Sequence, residues 1–191
     1  TADFVAGSAV VDTIDGEAGA ADTILISNTA ATFTLANSDD LARISNVETI
    51  TSIATDQIIS LTLHADARAD GFTTVDLSGD TDATSNNVIN ATAITGGGMT
   101  LTGSAGIDTI TGTAGVDIIT GGTGADIIAA GADNDVIAYA ATADFVVGTA
   151  VVDTVDGEAG ASDTILISNN GAATFTVANT HDLARISNVE T

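Results

Sequence analysis

The stretch 103–138 reads GSAGIDTIT, GTAGVDIIT, GGTGADIIA and AGADNDVIA, four blocks of nine residues set end to end. Asp stands at 108, 117, 126 and 135, and Ile at 110, 119, 128 and 137. Gly stands at 106, 115 and 124, with Asp133 at the fourth equivalent place. A spacing of nine does not match the roughly 3.6 residues of a helical turn, and a helix would not tolerate so many glycines. A six-residue turn followed by a three-residue strand does match. Two such half-turns make one eighteen-residue coil of a right-handed parallel β-solenoid. Ile110, Ile119, Ile128 and Ile137 would then stack inside the roll as an apolar column.

The composition around this stretch agrees. The chain has 191 residues, 26 acidic side chains against 3 basic ones, and a formal net charge of -23. Of the acids 22 are Asp and 4 are Glu, a bias toward turns and short-armed metal ligation rather than helical surfaces. Apolar residues make up 45%, mostly Ala, Val, Ile and Leu, which suffices for a core. Together these features predict an all-β, turn-rich protein. So anionic a surface repels phosphates and argues against nucleic-acid binding. Anionic membrane surfaces are disfavoured too, and no apolar run approaches a membrane span. The absence of Cys removes disulfides and thiolate metal sites.

A second, longer repeat encloses the first. Residues 2–49 return as residues 143–191, with 40 of 48 aligned positions identical and Gly171 as a single insertion. The spacing of 141 residues implies a tandem modular array. We therefore divide the chain into residues 1–50, the start of one module; 51–102; 103–138, the nonapeptide roll; and 139–191, the start of the next module. In 51–102, the segments Thr73–Leu77, Asn87–Ile89 and Met99–Leu101 read as short strands of a wider, irregular β-solenoid stacked on the roll. Met99 occupies the place of the Asp, so that turn should lack a full metal site. Asp12–Ile26 and its copy Asp153–Ile167 repeat the nonapeptide rhythm with one extra residue. LARISNVETI at Leu41–Ile50 adds no evident chemistry.

The four nonapeptides resemble the RTX, or haemolysin-type calcium-binding, family, whose repeat is G-G-x-G-x-D-x-U-x. Gly121–Ala129 matches it fully, while Ser104 and Thr113 replace the second glycine in the two earlier blocks. The fourth block departs at Ala130 and Asp133. The resemblance implies a calcium β-roll with several Ca2+ ions held between successive turns. Its ligands would be the carboxylates of Asp108, Asp117, Asp126 and Asp135. Turn carbonyls around Gly103, Gly106, Gly112, Gly115, Gly121, Gly124 and Asp133 would supply the rest. Asp12, Asp22, Asp153 and Asp163 are further candidates in the diluted copies.

The physics supports a hard cation. Asp108 and Asp126 lie one coil apart, as do Asp117 and Asp135, and neighbouring parallel strands are about 4.8 Å apart. Two carboxylates at that spacing repel by roughly 3–4 kcal/mol at an effective dielectric near 20. Calcium takes six to eight oxygens at about 2.3–2.6 Å, whereas magnesium demands tight octahedral geometry and keeps its waters. Zinc and copper would want His or Cys, and His64 and His181 are isolated. The glycines are expected to turn carbonyls inward through positive φ.

No catalytic constellation appears. HADAR at 64–68 is not HExxH, GSAG at 103–106 is not GxSxG, and there is no Lys. The expectation is a non-enzymatic, secreted structural protein of a cell-surface layer, filament or sheath, in which calcium drives folding. Copies of itself would be its partners, with a cell-surface polysaccharide as a further candidate. The resemblance implies type I secretion and an extracellular or cell-surface location. A giant adhesin stalk, or the non-catalytic tail of a secreted enzyme or toxin, is the alternative.

Overall fold

A computed structural model describes residues 5–6, 9–10, 14–19, 22–27, 32–35, 43–53, 58–147, 150–168 and 185–190. Two seven-stranded sheets dominate it, and the chain visits them alternately. One holds Phe33–Leu35, Ile59–Thr62, Val88–Asn90, Thr109–Thr111, Ile127–Ala129, Thr154–Asp156 and Ile186–Ser187. The other holds Thr23–Ile26, Thr49–Ser52, Thr74–Asp76, Thr100–Thr102, Ile118–Thr120, Val136–Tyr139 and Thr164–Ile167. Every pairing within these two sheets is parallel. The molecule is a parallel β-solenoid, and its sheets run through all four segments of the chain.

Three-residue strands suffice because each supplies one inward side chain. In Thr109–Thr111, Ile118–Thr120 and Ile127–Ala129 the first residue is exposed and the second buried. Ile118 is 49% exposed and its neighbour Ile119 is 0% exposed, the period-two signature of a strand with one wet face. Ile89, Ile110, Ile128 and Val155 pair in register along one sheet; Val75, Leu101, Ile119, Ile137 and Ile165 do so along the other. The interior is thus two facing aliphatic columns.

Coil length varies while the register holds. Within the nonapeptides equivalent positions are 18 residues apart. The spacing grows to 26 residues between Asp22 and Glu48, and to 28 between Asp135 and Asp163. The longer coils need extra filling, which Leu63, Ala67, Phe72, Leu77 and Ile94 provide, all fully buried. The three strands expected in 51–102 are present, as Thr74–Asp76, Val88–Asn90 and Thr100–Thr102.

An all-β reading misses one short feature. Thr142–Phe145 forms a helical turn after the last roll strand, and the Phe145 ring sits 4.9 Å from that of Tyr139. An antiparallel pair, Val146–Val147 with Ala150–Val151, follows it. Val5–Ala6 with Ala9–Val10 forms the same pair at the start of the chain. Both copies of the module thus carry this pair.

Candidate metal centre

Two rows of carboxylates run along the flanks of the solenoid, one residue before each strand. The first row is Asp108, Asp126 and Asp153, preceded by Asn87; the second is Asp117, Asp135 and Asp163, preceded by Met99. All six Asp residues are at most 1% exposed. The rows therefore extend into the second module copy, where Asp153 and Asp163 stand one coil beyond Asp126 and Asp135.

Each row is a hydrogen-bonded ladder. The Oδ1 of Asp126 accepts the backbone N–H of Asp108 at 2.9 Å, and that of Asp153 accepts Asp126 N–H at 2.8 Å. On the other flank, Asp135 accepts Asp117 N–H and Asp163 accepts Asp135 N–H, both at 2.8 Å. Met99 donates its N–H to Asp117, keeping the row's backbone position without adding a carboxylate. One oxygen of each Asp thus ties its coil to the one before.

The second oxygen divides the rows into two kinds of turn. Asp108 Oδ2 accepts the Ser104 N–H and lies 2.9 Å from the Ser104 hydroxyl. Asp117 Oδ2 accepts the Thr113 N–H at 2.6 Å and lies 3.0 Å from the Thr113 hydroxyl. The Oδ2 atoms of Asp126, Asp135, Asp153 and Asp163 are buried with no hydrogen-bond partner. Asp22 Oδ2, in the first module copy, is in the same condition. Burial pushes the Asp126 and Asp135 carboxyls up to about 7, against the hydrogen bonds that hold them down. Asp153 rises to about 6 from burial, eased by its backbone hydrogen bond from Asp126. Asp108 and Asp117 are also raised by burial, with their Ser104 and Thr113 hydrogen bonds opposing it.

Such orphaned oxygens fit a hard cation. A buried carboxylate without a proton, a donor or a metal is strongly disfavoured. Among the described residues no group of three or more His, Cys, Asp or Glu comes together. A cation here would therefore complete its shell with backbone carbonyls. Oxygen is the only ligand chemistry these turns offer, which suits calcium.

Several expectations need correction. Of the named glycines only Gly124 has positive φ; Gly122 and Gly131, at the second place of their blocks, also do. Gly103, Gly106, Gly112, Gly115 and Gly121 serve close approach instead. A Cβ on Gly106 would overlap the Ser85 carbonyl oxygen, and one on Gly112 the Ala130 carbonyl oxygen. Asp133 adopts a φ of 67° and is exposed, so its side chain lies outside the buried rows. There it does the conformational work of a glycine. Asp22 donates its N–H to Glu48 and keeps a bare Oδ2, while Asp12 lies outside the described residues, as does His181.

The sequence reading also missed residues. Asn87 donates its side-chain amide to Asp80 and to Ser104, both at 3.0 Å, and accepts the Ile59 N–H at 2.7 Å. The LARISNVET segment has a role after all: Glu48 accepts the Asp22 N–H at 2.8 Å, and Glu190 accepts the Asp163 N–H at 2.9 Å. The recurrence of the Asp–Glu pair, Asp22 with Glu48 and Asp163 with Glu190, was the available signal.

Residues 102–137 match the RTX calcium-binding nonapeptide repeat, in four copies. This stretch is an RTX array, and Ca2+ is the ion its repeats bind. RTX repeats are typical of secreted proteins. No curated protein and no solved structure matches the chain. Among the described residues no helix is long and apolar enough to cross a membrane.

Proposed function

We propose that the chain is a length of a secreted, non-enzymatic repeat protein that assembles with copies of itself into a cell-surface layer, filament or sheath. The observation that carries this reading is how the second module copy joins the first. Val136–Tyr139 of the roll pairs in register with Thr164–Ile167, and Ile127–Ala129 with Thr154–Asp156. The end of one module is the stacking surface of the next, so repetition lengthens a single rod. Solenoids grow by such nearest-neighbour contacts.

The surface supports contacts between rods. Ile118 and Ile127 are about half exposed on the outward faces of the two sheets, with Ile107 and Val116 similarly exposed on the turns. At a net charge of -23 rods would repel one another, and calcium between carboxylates reverses that. Calcium supplies charge compensation: the carboxylates of Asp126, Asp135, Asp153 and Asp163 would hold it, and binding only the folded chain stabilises the fold by mass action.

A continuous rod also suits the stalk of an adhesin, and electron microscopy of the purified chain in calcium separates the two. Ordered lattices or fibres are the expected outcome. Isolated rods at every concentration would overturn self-assembly and leave the stalk.

A further inference from the structure

The two kinds of turn differ at one place, the second residue of the block. In the two roll turns that leave Asp Oδ2 bare, this residue has positive φ: Gly122 at 109° before Asp126, and Gly131 at 116° before Asp135; Asp153 Oδ2 is bare as well, and the residue four before it, Thr149, lies outside the described residues. The same holds in the longer turns, with Glu17 at 62° before Asp22 and Glu158 at 61° before Asp163. Positive φ swings the peptide N–H away from the carboxylate. Ser104 and Thr113 are not among the positive-φ residues, and their N–H groups and hydroxyls both point onto the carboxylate four residues on. Both are nearly fully buried, at 4% and 3% exposed. Their hydroxyls are themselves satisfied: Ser104 Oγ accepts from Asn87 and Gly106, and Thr113 Oγ1 from Gly115.

We propose that Ser104 and Thr113 stand in for calcium, so that the first two nonapeptides fold without an ion and metal binding is confined to turns whose second residue has positive φ. In the roll, ions then fall at the Asp126–Asp153 and Asp135–Asp163 steps of the two rows, and not at Asp108 or Asp117. Two donors from the protein give each of those carboxylates what a cation gives elsewhere. The ion-free end of the roll faces the wide coils, where Asn87 joins Ser104 to Asp80. A hydrogen-bonded seam therefore connects the two parts of the solenoid before any calcium arrives.

Calcium stoichiometry of the 191-residue chain, read by native mass spectrometry and by calorimetric titration with calcium chloride, tests this. Asp108→Asn with Asp117→Asn should leave the number of bound ions unchanged. Asp126→Asn with Asp135→Asn should lower it. Ser104→Gly with Thr113→Gly should add an ion at each opened turn, and Thr113→Ser should add none. Should the glycine pair fail to fold, the Asn pair at 108 and 117 decides alone. Loss of ions from that pair, or no added ion in a folded glycine variant, overturns the proposal.

Discussion

Burial of a carboxylate with one oxygen left without a donor sets the behaviour of individual residues here. Asp126 and Asp135 are raised to about 7 and Asp153 to about 6, chiefly by burial. An ordinary Asp titrates near about 3.9. Between those limits the folded chain binds more protons than the unfolded one, so stability of the calcium-free fold falls as pH rises. Its full contribution is present below about pH 4 and is lost as pH passes through about 7. In chelator the β signal in circular dichroism should be retained more fully at pH 5 than at pH 8, while calcium should restore more of it at pH 8. A chelated chain with more β signal at pH 8 than at pH 5 would contradict bare buried carboxylates. The positions of these acids were legible from a spacing of nine. Their division into two kinds was not, because it depends on which way a peptide N–H points four residues earlier.

At the scale of the coil, spacing is set by backbone meeting backbone. Gly106 has no room for a Cβ because the Ser85 carbonyl oxygen of the coil before it occupies that space, whereas Gly96 has nothing within 4 Å. Gly106→Ala should therefore destabilise the calcium-loaded chain by about 2 kcal/mol or more, at the upper end of overpacking costs. Gly96→Ala should stay within about 0.5 kcal/mol. Denaturant unfolding of the two variants measures this, and equal midpoints would refute steric stacking. Strand positions were readable in the sequence, since Ile110, Ile119, Ile128 and Ile137 share one place in each block. The role of the glycines was not. The sequence reading took positive φ as their role, and only the neighbouring coil shows that most of them serve close approach. Coil lengths outside the nonapeptides were hidden for a related reason: segments of varying length between strands, such as the one carrying the buried Ala67 and Phe72, leave no period behind.

Across the whole molecule 26 acids stand against 3 bases, and Ca2+ is the ion the nonapeptides bind. Removing it with chelator near neutral pH should abolish most of the β signal in circular dichroism, and restoring calcium should return it. An unchanged spectrum, with no bound calcium by elemental analysis, would remove the ion from the account. By itself the sequence determined the β-solenoid, the nonapeptide register, the ion and the recurrence of the module, because each is written as a period and a period survives without coordinates. Tertiary structure alone decided that the two Asp rows continue into the next module through Asp153 and Asp163, and that Glu48 and Glu190 hold the N–H groups of Asp22 and Asp163. It also decided which carboxylates stay bare. The first two facts arise between residues 26 to 28 positions apart, where stacking of one coil on the next selects the partner, and the third arises from how the backbone four residues upstream is turned.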